Sequence, residues 1–132
     1  MRTKSDVVAA IYQAFAEGDV GTILTHLTDD VDWAPEASGT VAPWWGQYEG
    51  KDEVPGFFRA LAEAVDVTEF TPLAMVEGPE DVMAIIRFGV TVKSTGRSGT
   101  MALHHWWHFE GDKVARYRGT EDTDLTARLF AS

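Results

Sequence analysis

Apolar residues recur at helical spacing through the first part of the chain and at every second position through most of the remainder. The change of period outlines the secondary structure. Val8, Ile11, Tyr12 and Phe15 share one helical face, so a helix is predicted over residues 6–17, with Ser5 at its cap and Gly18 in the left-handed position beyond its end. Asp19 caps a shorter helix carrying Val20, Ile23, Leu24 and Leu27, and Asp29 and Asp30 turn the chain into a strand at Val31, Asp32 and Trp33. Residues 34–50 contain Pro35, Gly39, Pro43, Gly46 and Gly50 and read as a loop, but Trp44, Trp45 and Tyr48 require that loop to fold back onto something apolar. A third helix starts at Asp52 or its neighbour, tolerates Pro55 in its first turn, buries Phe57, Phe58, Leu61 and Val65, and ends near Val65.

Residues 67–77, 82–93, 99–109 and 114–121 alternate with period two and read as four strands, separated by turn clusters at residues 78–81, 94–98 and 111–112. Connections this short make sequential strands antiparallel neighbours. A last helix, residues 123–130, takes Asp122 as its cap. Helices followed by an antiparallel meander predict an α+β fold, with the helices on one face of a strongly curved sheet.

Composition narrows the chemistry. At 132 residues and 45% hydrophobic content, the chain is expected to form one domain over residues 1–132 around one core. Residues 1–4 carry two positive charges but no apolar segment of signal length follows, so a soluble cytoplasmic protein is expected. With no cysteine, thiolate catalysis, disulfides and cysteine-bound zinc are excluded. Eleven Lys and Arg against 21 Asp and Glu give a net charge of −10, which disfavours nucleic acid and anionic membrane as partners.

The stretch Met101 to Phe109 carries the site expectation. Alternation puts Met101, Leu103, His105, Trp107 and Phe109 on one face, and Ala102, His104, Trp106 and His108 on the other. The odd row is the apolar one and belongs inside, which makes His105 the one polar side chain in it. In the next strand Ala115, Tyr117, Gly119 and Glu121 form the matching inward row. A three-residue loop through Lys113 pairs Phe109 with Ala115, Trp107 with Tyr117 and His105 with Gly119, whereas a two-residue turn would place His105 opposite Arg118. Only the first keeps both apolar rows on one side. Gly119 then leaves space beside the imidazole for a ligand or water.

A buried, neutral imidazole at His105 can exchange a proton with a ligand near neutrality, or it can be a core histidine satisfied by Tyr117 or a backbone carbonyl. Tyr117 and Tyr48 are candidate donors to an oxyanion, and Tyr12, Trp33, Trp44, Trp45, Trp107 and Glu121 complete the expected pocket lining. No metal site is expected. On a strand His105 points away from His104 and His108, and those two lie roughly 13 Å apart. No cofactor motif is present in the sequence.

Four segments carry a resemblance in their order and spacing: Ala16 to Asp19 ending the first helix, Leu27 to Val31 entering the first strand, Tyr48 to Lys51 leading to Phe57 and Phe58, and Arg116 to Arg118 followed by Asp122 and Thr123. Together they resemble the SnoaL-like group of the nuclear-transport-factor-2-like superfamily, over nearly the whole chain. The resemblance implies a cone-shaped α+β barrel with an internal pocket, in a superfamily that also holds ketosteroid isomerase, polyketide cyclase and limonene epoxide hydrolase. His105 matches the pocket histidine of the SnoaL-like cyclases, while their final-strand aspartate falls at Gly119. The helix tyrosine of the isomerases falls at Ile11, with Tyr12 beside it, and their base aspartate falls at Ala34 or Pro35. Of the Arg-x-Asp pair of the epoxide hydrolases, Arg87-Phe88-Gly89 keeps the arginine.

Two functions are therefore expected in competition. One is acid–base chemistry of the isomerase, cyclase or hydrolase type at His105, on a small apolar or carbonyl-bearing molecule. The other is a non-catalytic ligand-binding or stress-linked module built on the same pocket. A homodimer is also expected, through an outer sheet face formed by Ala102, Trp106 and Val114 with His104, His108, Arg116 and Arg118. The resemblance implies the same pairing.

Overall fold

The computed structural model describes residues 2–132. Helix α1 (Lys4–Ala16) starts earlier than its apolar spacing requires, and its cap is Thr3 rather than Ser5. The Thr3 hydroxyl accepts from the Asp6 N–H and the Asp6 carboxylate accepts from the Thr3 N–H, both at 3.0 Å. This reciprocal box satisfies two backbone donors at once, which Ser5 at the cap would not do. Gly18 follows with φ +71°, and Asp19 caps α2 (Val20–Thr25) by accepting from the Thr22 N–H.

The strands are β1 (Leu27–Pro35), β2 (Tyr48–Glu49), β3 (Val65–Glu77), β4 (Asp81–Val92), β5 (Ser98–Glu110) and β6 (Lys113–Thr120), with α3 (Val54–Ala64) before β3 and α4 (Thr123–Phe130) after β6. They form one sheet in the order β2-β1-β6-β5-β4-β3. Its two edges stay open, and helices lie over its concave face, the mainly antiparallel α+β layout that the pattern predicts and the cone that the resemblance implies. The exception to antiparallel pairing is β1, which returns beside the last strand and runs parallel to it. Arg118 fastens this joint from outside, donating to the Asp32 carboxylate at 2.8 Å and pairing with Glu36 at 3.3 Å. Within the segment expected to be loop, Tyr48 and Glu49 add a two-residue strand opposite Trp33 and Asp32. Two residues cannot display a period, so no alternation announces it.

His105 faces Gly119 and Trp107 faces Tyr117, as the apolar rows require. The far end of the hairpin departs from expectation. The register shifts between His108 and Phe109, and Phe109 pairs with Val114 instead of Ala115. Ala115 is thus the extra residue of a bulge, which turns Val114 inward to full burial. Val114 therefore leaves the outer face assigned to it from alternation. The outer face instead exposes Val76, Met83, Ile85 and Trp106, with Val76, Met83 and Trp106 in one cross-strand row. Arg116 lies over the Trp106 ring at 5.0 Å.

At one end of the concave face, α4 packs so closely on Gly99 that a Cβ there would stand 3.1 Å from Leu129. Asp122 caps α4 by accepting from the Leu125 N–H at 2.9 Å. Among the described residues no helix is long and apolar enough to cross a membrane.

The bulge can be tested by its effect on polarity at adjacent positions. Val114→Asp should cost more than about 3 kcal/mol in denaturant unfolding, because it buries an unpaired carboxylate. Ala115→Asp should cost less than about 1 kcal/mol. The unshifted register predicts the reverse order.

Candidate functional site

Helix α1 crosses the concave face of β5, bringing Ile11 and Tyr12 over the odd row of that strand. The Tyr12 hydroxyl lies 2.7 Å from His105 Nδ1 and accepts from the Trp107 indole N–H at 3.0 Å. This three-residue connection is buried, with His105, Trp107 and Tyr12 all nearly inaccessible to solvent. The proton inventory fixes its direction. Trp107 can only donate, so the Tyr12 oxygen accepts from it, and the Tyr12 proton has one acceptor in reach, His105 Nδ1. The imidazole is then the Nε2–H tautomer.

Burial, and secondarily the charge of His104, push the His105 pKa down to about 3. The ring is neutral at physiological pH, and its free nitrogen is a donor. Burial likewise raises the Tyr12 and Tyr117 hydroxyls well above the ordinary tyrosine range, with the negative charge of Glu121 adding to the effect at Tyr117. Both phenols stay protonated.

These groups border an internal cavity of about 70 Å³. Of the residues expected from the sequence, Tyr12, Trp33, Trp44, His105, Trp107, Tyr117, Gly119 and Glu121 line it. Trp45 and Tyr48 do not. The Trp45 indole donates to Glu121 Oε1 at 3.0 Å, and the Tyr48 hydroxyl donates to the Trp44 carbonyl at 3.1 Å, so both are spent on holding the loop. Gly119 is also corrected in its role. The space above it is taken by the Tyr117 hydroxyl, which a Cβ would overlap, and the same Cβ would lie 3.2 Å from His105 Cδ2. The glycine makes room for a protein hydroxyl, not for a ligand.

Glu121 ties the mouth of the cavity together. Its Oε1 accepts from the indoles of Trp44 and Trp45, and its Oε2 accepts from the Thr126 hydroxyl of α4. Trp44 rests against Phe130 at 5.9 Å between ring centres. The loop and the last helix therefore close one end of the cone through a single carboxylate. The remaining wall contains Phe15, Phe57, Phe58, Phe70 and Phe88. Helical and strand spacing mark these as core residues, and no sequence signal separates a core phenylalanine from one on a cavity wall. Arg87, the residue shared with the epoxide-hydrolase pair, is exposed on the opposite face. Among the described residues, no group of three His, Cys, Asp or Glu side chains is placed to hold a metal.

The cavity is consequently polarised in one sense. Among the described residues, none accepts from His105 Nε2–H or from the Tyr117 O–H, while Glu121, the carboxylate on the wall, accepts from three donors. The Trp33 indole N–H is also enclosed and unpaired. An apolar box with free donors suits a ligand that carries an acceptor oxygen.

The displaced pKa of His105 makes a prediction for stability. A folded-state value of about 3 against an ordinary 6.5 means that the unfolded chain takes up the proton first as the pH falls. The associated stability is complete above pH 6.5 and is lost on acidification toward about 3. The thermal midpoint of the wild type should therefore fall more steeply between pH 6.5 and 4 than that of His105→Gln. Parallel profiles would place the imidazole in a wetter environment than this one.

Comparison with known proteins supplies the kinship. An NTF2-like protein of unknown function from Burkholderia pseudomallei is 26% identical and superposes with a TM-score of 0.91 over 100% of both chains. TerC, crystallised with polyporic acid, is 20% identical with a TM-score of 0.87 over 98% of both chains. A SnoaL-like polyketide cyclase fold from Mesorhizobium loti, 18% identical, gives a TM-score of 0.72 over 89% of this chain and 98% of that one. No curated protein matches the sequence. The SnoaL-like domain family matches residues 8–117, five-sixths of the chain and all of the cavity-bearing hairpin up to Tyr117, and the protein belongs to that family.

Proposed function

We propose that this domain binds a small, largely apolar molecule through a carbonyl-type oxygen, which accepts from His105 Nε2–H and from the Tyr117 hydroxyl. The observation that carries the reading is the Trp107–Tyr12–His105 connection. It consumes Nδ1 and leaves the imidazole facing the cavity as a donor. Two donors on one oxygen withdraw electron density from the carbonyl and stabilise negative charge developing there, which is the electrostatic half of an isomerase or cyclase step. TerC was crystallised with polyporic acid, and at 20% identity it lends its fold and not its ligand.

The base half is weaker. With a pKa near 3, His105 is a poor proton acceptor, and Nδ1 is already engaged. Glu121 is the carboxylate on the cavity wall, and its oxygens already accept from three donors. This favours binding and polarisation over rapid proton transfer, and keeps the non-catalytic module as the second reading. A cytoplasmic setting belongs to the same proposal.

Cyclohexanone serves as a probe. Bound to the wild type, its carbonyl stretch should shift to lower frequency. Tyr117→Phe should return part of the shift and weaken binding about tenfold, the equivalent of one hydrogen bond. An unshifted carbonyl band in the bound state would defeat the reading. Exchange of the α-hydrogens in D2O separates the two functions: acceleration by the wild type marks an enzyme, and binding without acceleration marks a binding module.

We also propose that the outer sheet face pairs with a second copy of the chain. Val76, Met83, Ile85 and Trp106 make a continuous apolar surface, flanked by Arg87, His104 and Arg116. A two-fold axis would let the same patch serve both partners. Sedimentation should give a dimer for the wild type and a monomer for Met83→Glu and Trp106→Glu. A wild-type monomer would overturn the pairing.

A further inference from the structure

The internal cavity is small for a ligand-binding chamber, yet it backs onto a much larger depression. An open groove of about 790 Å³ lies between the turn joining α1 to α2, the outer side of α3 and the first half of β3. Cavity and groove share five wall residues: Phe15, Ile23, Phe58, Leu61 and Phe70. The partition between them is therefore one side chain thick.

Three of those five are phenylalanines that remain half-buried on an otherwise well-covered concave face. Phe15 touches Phe70 at 4.8 Å between ring centres and Phe58 at 6.0 Å. Aromatic rings pivot about two torsions, so a partition of rings can part without moving backbone. The groove floor beyond them is apolar as well. It includes Val20, Pro55, Ala62 and Val67, and Val67 is 39% exposed. Charged and polar groups, Arg59, Asp66, Thr68 and Glu69, stand along its rim. An apolar floor with a polar rim on a monomeric surface marks a place that something covers. At the other end of the cone, the loop and α4 are closed by Glu121, which leaves the phenylalanine partition as the soft side of the chamber.

We infer that cavity and groove are two halves of one elongated site, and that the natural ligand carries its acceptor oxygen on an apolar tail that crosses the Phe15–Phe58–Phe70 partition and lies in the groove. This rests on the proposed carbonyl reading for the head of the ligand and adds the tail. The ligand is therefore elongated instead of compact.

The methyl n-alkyl ketones, from acetone to 2-nonanone, test the inference with the head group held constant. Dissociation constants can be read from the change in tryptophan fluorescence, since Trp33 and Trp107 line the cavity. The wild type should gain about fourfold in affinity per added methylene through the whole series, the increment for apolar carbons removed from water. Ala62 lines the groove and not the cavity, and Ala62→Trp fills the groove. It should abolish the gain for the longest ketones and leave acetone and 2-butanone unchanged. Val67→Trp, on the exposed edge of β3, should do the same through a different element. An affinity that levels off once the small cavity is full overturns the groove, and so does an increment that survives both substitutions. If short ketones bind through Tyr117 in that case, the carbonyl reading stands and the tail alone is lost. If no ketone of any length binds, both fall together.

Discussion

A pleated strand offers each side chain one of two faces, and this constraint acts most severely on β5. His105 and Trp107 meet Tyr12 because the odd positions of that strand lie under α1. A slip of one residue would present Trp106 and His104 to the core and leave Tyr12 without its partners. The register is held from both sides, by Gly119 opposite His105 and Tyr117 opposite Trp107 on β6, and by Ala84 opposite His105 on β4. Glycine and alanine next to the imidazole let it stand among much larger neighbours. The bulge at Ala115 then reconciles this pairing with a tight turn at Gly111 and Asp112, and returns Val114 to the core.

Much of this was legible because burial writes a period into the sequence. The inward row of β5, the stripe of α3 and the cap at Asp122 follow from alternation, helical spacing and backbone donors. What escaped the sequence lies in contacts between distant elements. Tyr12 was one aromatic among several on a helical face, and nothing local shows that α1 delivers it to a residue 93 positions away. Trp44 and Trp45 are neighbours of equal chemistry, yet one enters the cavity wall and the other stays outside, bound to the same carboxylate. Simple alternation puts Val114 outside because it has no room for an extra residue.

The site also shows how a histidine's surroundings decide its chemistry before any ligand arrives. A free imidazole offers a donor and an acceptor without preference. Here an indole and a phenol in series remove the acceptor, and burial removes the charge. The result is a rigid, neutral N–H held in an apolar wall, where a hydrogen bond is electrostatically stronger than in water. Shape therefore has less influence on the character of the cavity than the count of protons along three side chains.

Gly119 and Tyr117 occupy one volume between them, and this couples the two positions. A Cβ at position 119 would overlap the Tyr117 hydroxyl, so any larger side chain there requires that ring to move. The two positions therefore act as one steric unit, and the wall beside His105 is set by both together.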